Sequence, residues 1–254
     1  MSRRWYHEVS VKWLEARRSV LTATDVAGLM PEYKRYLKAH DPGKISPGFA
    51  ALWCQKHSTT DLDPSSMGPA ARGHIMEPWA IDSWNAQMPG EKYFHWDDCI
   101  ICNGMFGFSP DAMESPQTTV DAMLESRDFT TERVMEVKCY EPPKHMKSVI
   151  MGKMEHDELM QLAMAFVVLP TLEEARLLWF CPGAPISMHT ELYTRDDLHD
   201  QIRWIMEIAD VYVSQSKLCE KLGDNGLVAQ CTEQQVYDEY MRQQHDDAGV
   251  FKLK

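Results

Sequence analysis

No uninterrupted apolar run in this sequence is long enough to cross a bilayer, so no membrane-spanning helix is expected. No secretory leader is expected either. Met1-Ser2-Arg3-Arg4-Trp5 is basic, but Tyr6-His7-Glu8-Val9-Ser10 stands where an apolar core would be needed. The expectation is a cytoplasmic protein. Cysteine is neither abundant nor regularly placed: Cys54, Cys99, Cys102, Cys139, Cys181, Cys219 and Cys231 form an odd, scattered set. That is no disulfide framework. Cys99 and Cys102 make one Cys-x-x-Cys, but a closed zinc or iron–sulfur site needs about four ligands. No second pair follows at a suitable spacing, so reduced thiols are expected. Internal repeats and low-complexity stretches do not stand out either.

Positive charge is also in short supply. The 254 residues carry 26 Lys and Arg against 38 Asp and Glu, a formal net charge of −12. Taken alone, this argues against a polyanionic partner. It does not exclude an enzyme that makes one groove locally positive and offsets its carboxylates with metal ions. Such an enzyme should concentrate its bases, and here they cluster: Arg3, Arg4, Lys12, Arg17 and Arg18, then Lys34, Arg35 and Lys38, later Lys138, Lys144, Lys147 and Lys153. The acidic excess lies toward the C-terminal half, in 191–200 and 238–247.

A 44% hydrophobic and 25% charged composition is ordinary for a globular protein, and the length suffices for a sizeable core. Thr22-Ala23-Thr24-Asp25 has the form of a capping box and predicts a helix start. Stretches 41–48 and 61–69 read as loops. Between 70 and 88, Ile75, Met76, Trp79, Ala80 and Trp84 recur at helical spacing, and Pro78 should kink or restart that helix. Short strands are expected near 93–95, 99–102 and 105–109. Val134–Cys139 alternates, with Val134, Glu136 and Lys138 on one face and Met135, Val137 and Cys139 on the other. A helical region follows from about 143 to 168. Two strands, 175–181 and 186–194, flank a Pro182-Gly183-Ala184-Pro185 turn, and Leu198, Ile202, Ile205, Ala209 and Val213 mark a long amphipathic helix. The pattern implies an α/β fold with helices packed on a mixed central sheet. A single domain over 1–223 is expected, followed by a helical or flexible tail over 224–254.

The residues with chemical potential are Ser109-Pro110-Asp111 and Glu136-Val137-Lys138. Residues two apart on a strand share a face, so Glu136 and Lys138 set an acid beside an amine, with the Val137 carbonyl as an extra hard-oxygen donor. Carboxylates so placed suit one or two Mg²⁺ ions and the hydrolysis of a phosphodiester. Standing alone, Glu-x-Lys is commonly a surface ion pair.

With the upstream Pro110-Asp111, this set resembles the PD-(D/E)xK nuclease pattern. The neighbouring residues narrow the resemblance to the phage lambda exonuclease / YqaJ-type viral recombinase family. Arg17 with Leu21–Val26, Gly73-His74-Ile75-Met76-Glu77, Phe108–Asp111, Met135–Cys139 and Gln161 occur in the family's order. The resemblance spans about residues 10–215.

It implies a PD-(D/E)xK restriction-endonuclease-like core and a Mg²⁺-dependent 5′→3′ exonuclease on double-stranded DNA ends. Two ions are expected, with Mn²⁺ able to substitute, and the product is a 3′ single strand for recombination by annealing. It implies Asp111, Glu136, the Val137 carbonyl and Glu77 as metal ligands, Lys138 as the catalytic lysine and Gln161 as an active-site glutamine. Arg17 and Thr24 match positions that grip the 5′ phosphate. A helix beginning at Thr22 gives that role a physical basis. A homo-oligomer (a trimeric ring in one relative), a single-strand annealing partner and a bacterial or phage-infected host cell are implied as well.

Alternatives stand beside these roles. Glu77 and Gln161 suit ordinary polar helix positions, and His74, one turn before Glu77, could approach the metal but reads more readily as a residue behind the ligands or on the surface. Asp121, in a second Asp-Ala-Met, rivals Asp111, which is preferred for its Ser-Pro context. Stretch 114–131 reads as an insertion, and Ala165 stands where some relatives place a tyrosine. An endonuclease on the same core, an end-processing nuclease of the four-cysteine iron–sulfur kind, and a non-catalytic DNA-end scaffold are the rival functions. The cysteine positions disfavour the second, and the intact Asp111/Glu136/Lys138 set disfavours the third.

Overall fold

The computed structural model describes residues 16–38, 46, 48–49, 52–53, 56, 69–95, 100–114, 131–151 and 156–223. Asp121, the body of the 114–131 stretch, Cys99 and the tail from 224 lie outside the described residues. In chain order the elements are α1 (Ala23–Lys38), α2 (Pro69–Gln87), β1 (Phe94–His95), β2 (Ile101–Asn103), β3 (Phe106–Phe108), β4 (Ala112–Met113), β5 (Arg133–Lys138), α3 (Pro142–Met151), α4 (His156–Val168), β6 (Glu174–Phe180), β7 (Met188–Thr194) and α5 (His199–Gly223).

The central sheet runs β1-β4-β5-β6-β7, antiparallel except where β5 and β6 pair parallel. It is the expected mixed sheet between helical layers. The alternation of side chains decides which layer each strand residue meets. Val134, Ala175, Leu177 and Trp179 join α1, α4 and α5 in one apolar core. Met135, Val137, Leu178 and Phe180 join Ala80, Ile81 and Trp84 of α2 in another. Helix α4 lies deepest: Met160, Leu162 to Phe166 and Val168 are all buried. A helix apolar on nearly every side belongs between layers, and α4 packs against both α1 and α5.

Three helical expectations are refined. Pro78 lies inside α2, which continues through it from Pro69 to Gln87 without restarting. The buried face of α2 is also rotated from the one the spacing suggested. Ala80, Ile81 and Trp84 are buried, whereas Ile75 and Trp79 are both 69% exposed. At about 100° per residue, Glu77 falls among the buried three and Ile75 with Trp79 on the opposite side. The region expected as one helix from 143 to 168 is two, α3 and α4.

The start of α1 is fixed as its sequence implies. The Thr22 N–H and hydroxyl both donate to Asp25 Oδ2 at 2.8 Å, and the Asp25 N–H donates back to Thr22 Oγ1 at 3.4 Å. Such a cap stabilises a helix by about 1 kcal/mol. The strand-like run before it docks on the β2–β3 hairpin: the Leu21 N–H donates to the Met105 carbonyl at 2.7 Å, and the Gly107 N–H to the Leu21 carbonyl at 3.0 Å. Gly107 permits this approach, because a Cβ there would lie 2.4 Å from Val20 Cγ2. Among the described residues Cys102, Cys139, Cys181 and Cys219 form no disulfide, and no helix is long and apolar enough to cross a membrane.

Candidate active site

Strand β5 carries the centre of the site. Glu136 and Lys138 share the face that Val134 presents to α4, and the Lys138 ammonium donates to Glu136 Oε1 at 2.7 Å. Both are largely withdrawn from solvent, with side-chain exposures of 17% for Lys138 and 6% for Glu136. Asp111 lies at the bend before β4. The β4–β5 register pairs Ala112 with Met135, so its continuation sets Asp111 across from Glu136. There Asp111 Oδ2 accepts the Val137 N–H at 2.6 Å. A strand residue directs its N–H and C=O to the same edge, so the Val137 carbonyl faces the Asp111 side as well.

The charges bear on one another. Burial, then the Glu136 and Glu77 carboxylates, push Asp111 well above the ordinary aspartate range, against the pull of Lys138 and the Val137 N–H. Glu77 is half-buried on the inward side of α2, with Oε1 3.0 Å from where a Cβ on Gly73 would lie. Burial alone would lower Lys138, but Glu136, Asp111, the hydrogen bond to Glu136 and the Glu158 carboxylate outweigh it and hold the ammonium above its usual range.

In front of Glu136 opens a cleft of about 70 Å³, lined among others by Arg17, Thr22, Ala23, Thr24, Ser109 and Gln161. The structure thus brings Arg17, Thr24 and Gln161, far apart in sequence, around Glu136. His74 falls on α2, and its side chain lies outside what is described.

Among the described residues no three His, Cys, Asp or Glu side chains stand ready arranged around a metal ion. Asp111 accepts the Val137 N–H, and Glu136 accepts from the Lys138 ammonium. The donor chemistry nevertheless suits a hard divalent cation. Asp111, the two carboxylates whose charges act on it, and a backbone carbonyl beside them are oxygen donors of the kind Mg²⁺ takes.

Two participants escape sequence reasoning. Glu158 is buried one turn before Gln161 on α4, accepts the Tyr140 hydroxyl and adds its charge to the surroundings of Lys138. Its i, i+3 relation to Gln161 was the signal available. Lys56 binds the backbone of the Arg17 segment, and nothing in its local sequence marks it.

Compared with known proteins, the sequence matches no protein-family model and no curated protein. Solved structures do match in fold. The alkaline exonuclease LHK-Exo from Laribacter hongkongensis aligns with a TM-score of 0.55 at 18% identity, covering 83% of this chain and 98% of its own. Its complex with dAMP aligns equally well. A phage-related exonuclease from Haemophilus somnus 129PT aligns with a TM-score of 0.49 at 12% identity, covering 80% and 96%. The chain therefore has the fold of the alkaline exonuclease over nearly the whole of that protein's length.

Proposed function

We infer that the protein is a Mg²⁺-dependent exonuclease that digests one strand of linear double-stranded DNA from its 5′ end. The observation that carries this reading is the cleft shared by Arg17, Thr24, Gln161 and Glu136, with Lys138 bonded to Glu136 and Asp111 to the neighbouring Val137 N–H. A guanidinium and the first turn of a helix together favour a terminal phosphate. A phosphate held there sets the next phosphodiester toward Glu136. The exonuclease fold supports the reading, as does the dAMP complex of LHK-Exo, a nucleoside monophosphate being the product of one exonucleolytic step.

Asp111, Glu136, the Val137 carbonyl and Glu77 would hold the metal, two ions on the expected scheme. Bound there, Mg²⁺ supplies Lewis-acid stabilisation of phosphoryl charge and a more acidic water. Lys138 Nζ, anchored on Glu136, donates to the attacking water or to the developing charge on the phosphoryl oxygens. The Gln161 amide, facing the same cleft, orients that water or the scissile phosphate. Arg17 and Thr24 hold the end in place, which turns diffusional encounter into fixed geometry. On this reading the product is a 3′ single strand for an annealing protein, and a homo-oligomeric ring would keep the enzyme on its track.

End-labelled linear and closed circular duplexes, with Mg²⁺ or EDTA, test this directly. Linear DNA alone should be lost, only with Mg²⁺, and Lys138→Ala should reduce the rate by about 10²–10⁴-fold. Nicking of the closed circle would point to an endonuclease, and undiminished cleavage by Lys138→Ala would refute the site.

A further inference from the structure

Lys56 is nearly sealed from solvent, with its side chain 8% exposed, and its ammonium meets three acceptors. They are the Arg17 carbonyl at 2.9 Å, the Val20 carbonyl at 2.5 Å and Asp25 Oδ2 at 2.7 Å. A lysine ammonium has three N–H donors, so each is matched. Burial pushes this amine downward, and the Asp25 carboxylate opposes that shift.

The three acceptors belong to the two segments that form the phosphate-facing wall of the cleft. Arg17 and Val20 lie on the run leading into α1, and Asp25 closes the cap at its first turn. Asp25 also presents a problem that Lys56 answers. A carboxylate beside the helix start would repel a terminal phosphate and attract the Arg17 guanidinium. Arg17 already lies close enough for its charge to act on Lys56. Lys56 sets a positive charge against that carboxylate, 2.7 Å from Asp25 Oδ2.

We propose that Lys56 is a positioning residue for the terminal-phosphate grip, clamping the main chain at Arg17 to the capped start of α1 and offsetting the Asp25 charge there. This rests on the reading of Arg17 and Thr24 as that grip. Lys56 touches no substrate; it acts through the placement of Arg17, and misplacing a positioning group by about 1 Å can lower a rate on the order of 10²-fold.

The test uses the full-length protein with Mg²⁺ on linear duplexes that differ only in a 5′ phosphate or a 5′ hydroxyl. The readout is the ratio of kcat/KM between the two ends. Lys56→Met keeps the stem and removes the ammonium. It should shrink the ratio by about tenfold or more through a raised KM for phosphorylated ends, with kcat at saturating DNA little changed. In an Arg17→Ala background, Lys56→Met should shrink the ratio no further. A folded Lys56→Met protein that keeps the wild-type ratio overturns the proposal. Should that variant fail to fold, Lys56→Gln takes its place. A shorter neutral amide cannot supply three donors to the three acceptors, so the ratio should shrink here too, and a folded Lys56→Gln protein that keeps the wild-type ratio overturns the proposal. If Arg17→Ala keeps the ratio while Lys138→Ala is inactive, the grip reading itself falls, and this inference with it.

Discussion

Asp111 should weaken the metal-free protein as the pH rises, and Asp111→Asn should remove that weakness while abolishing activity. The folded protein holds the Asp111 proton more tightly than the unfolded chain does, because burial and the Glu136 and Glu77 carboxylates disfavour the anion. Below the ordinary aspartate value of 3.8 the group is protonated in both states and has no effect. Above it the unfolded chain releases the proton first, so stability falls with pH until the folded value is passed. Within that window linkage sets the slope at no more than about 1.4 kcal/mol per pH unit. For a chain of this size that is roughly 3–6 °C in Tm per unit. Asn cannot ionise, yet its side-chain oxygen still accepts the Val137 N–H that Asp111 binds at 2.6 Å. Thermal melts in EDTA from pH 4 to 8 should therefore show the variant level with wild type at the acid end and increasingly more stable above it. Saturating Mg²⁺ should reverse the order, since a ligand at 100 times its Kd adds about 2.7 kcal/mol to the protein that binds it. A Tm difference that stays flat with pH in EDTA, or a variant less stable than wild type at pH 8, would refute the assignment of mutually repelling carboxylates.

Two further substitutions probe what positions the site. Gly107→Ala would put a Cβ 2.4 Å from Val20 Cγ2 and 2.8 Å from Ile100 Cδ1, a clash expected to destabilise by about 1–3 kcal/mol. It should also raise KM for 5′-phosphorylated ends, because the displaced run carries Arg17; steady-state kinetics on matched substrates would show whether it does. On α2, Trp84→Ala should cost about 3–5 kcal/mol, whereas Trp79→Ser, on the exposed side, should stay within about 0.5 kcal/mol. Urea denaturation would separate them, and equal losses would contradict the rotated helix face.

The sequence was most legible where one short segment determines its own geometry. The Thr22–Asp25 box closes on itself, and the alternation in β5 sends Glu136 and Lys138 one way and Val137 the other. Neither needs a distant partner. The spacing in α2 misled because Ile75 and Trp79 fit a helical stripe as well as Ala80 and Trp84 do. Only the sheet beneath could select between the two stripes, and it took the one that carries Glu77 inward.

Lys56 carried no local signal, and Glu158 only its spacing from Gln161, for a related reason. Each acts through charge on groups that the fold alone brings near: Asp25 and two backbone carbonyls for Lys56, Lys138 for Glu158. A buried charge is tolerated only where partners offset its desolvation. Placing these two inside the protein therefore ties the correct folding of the Arg17 run and of α4 to the electrostatics of the cleft. The carboxylates around Asp111 invert that logic. Among the groups that act on Asp111, Glu136 and Glu77 together oppose its anion more than Lys138 favours it. A divalent cation, on the proposed reading, would relieve that opposition.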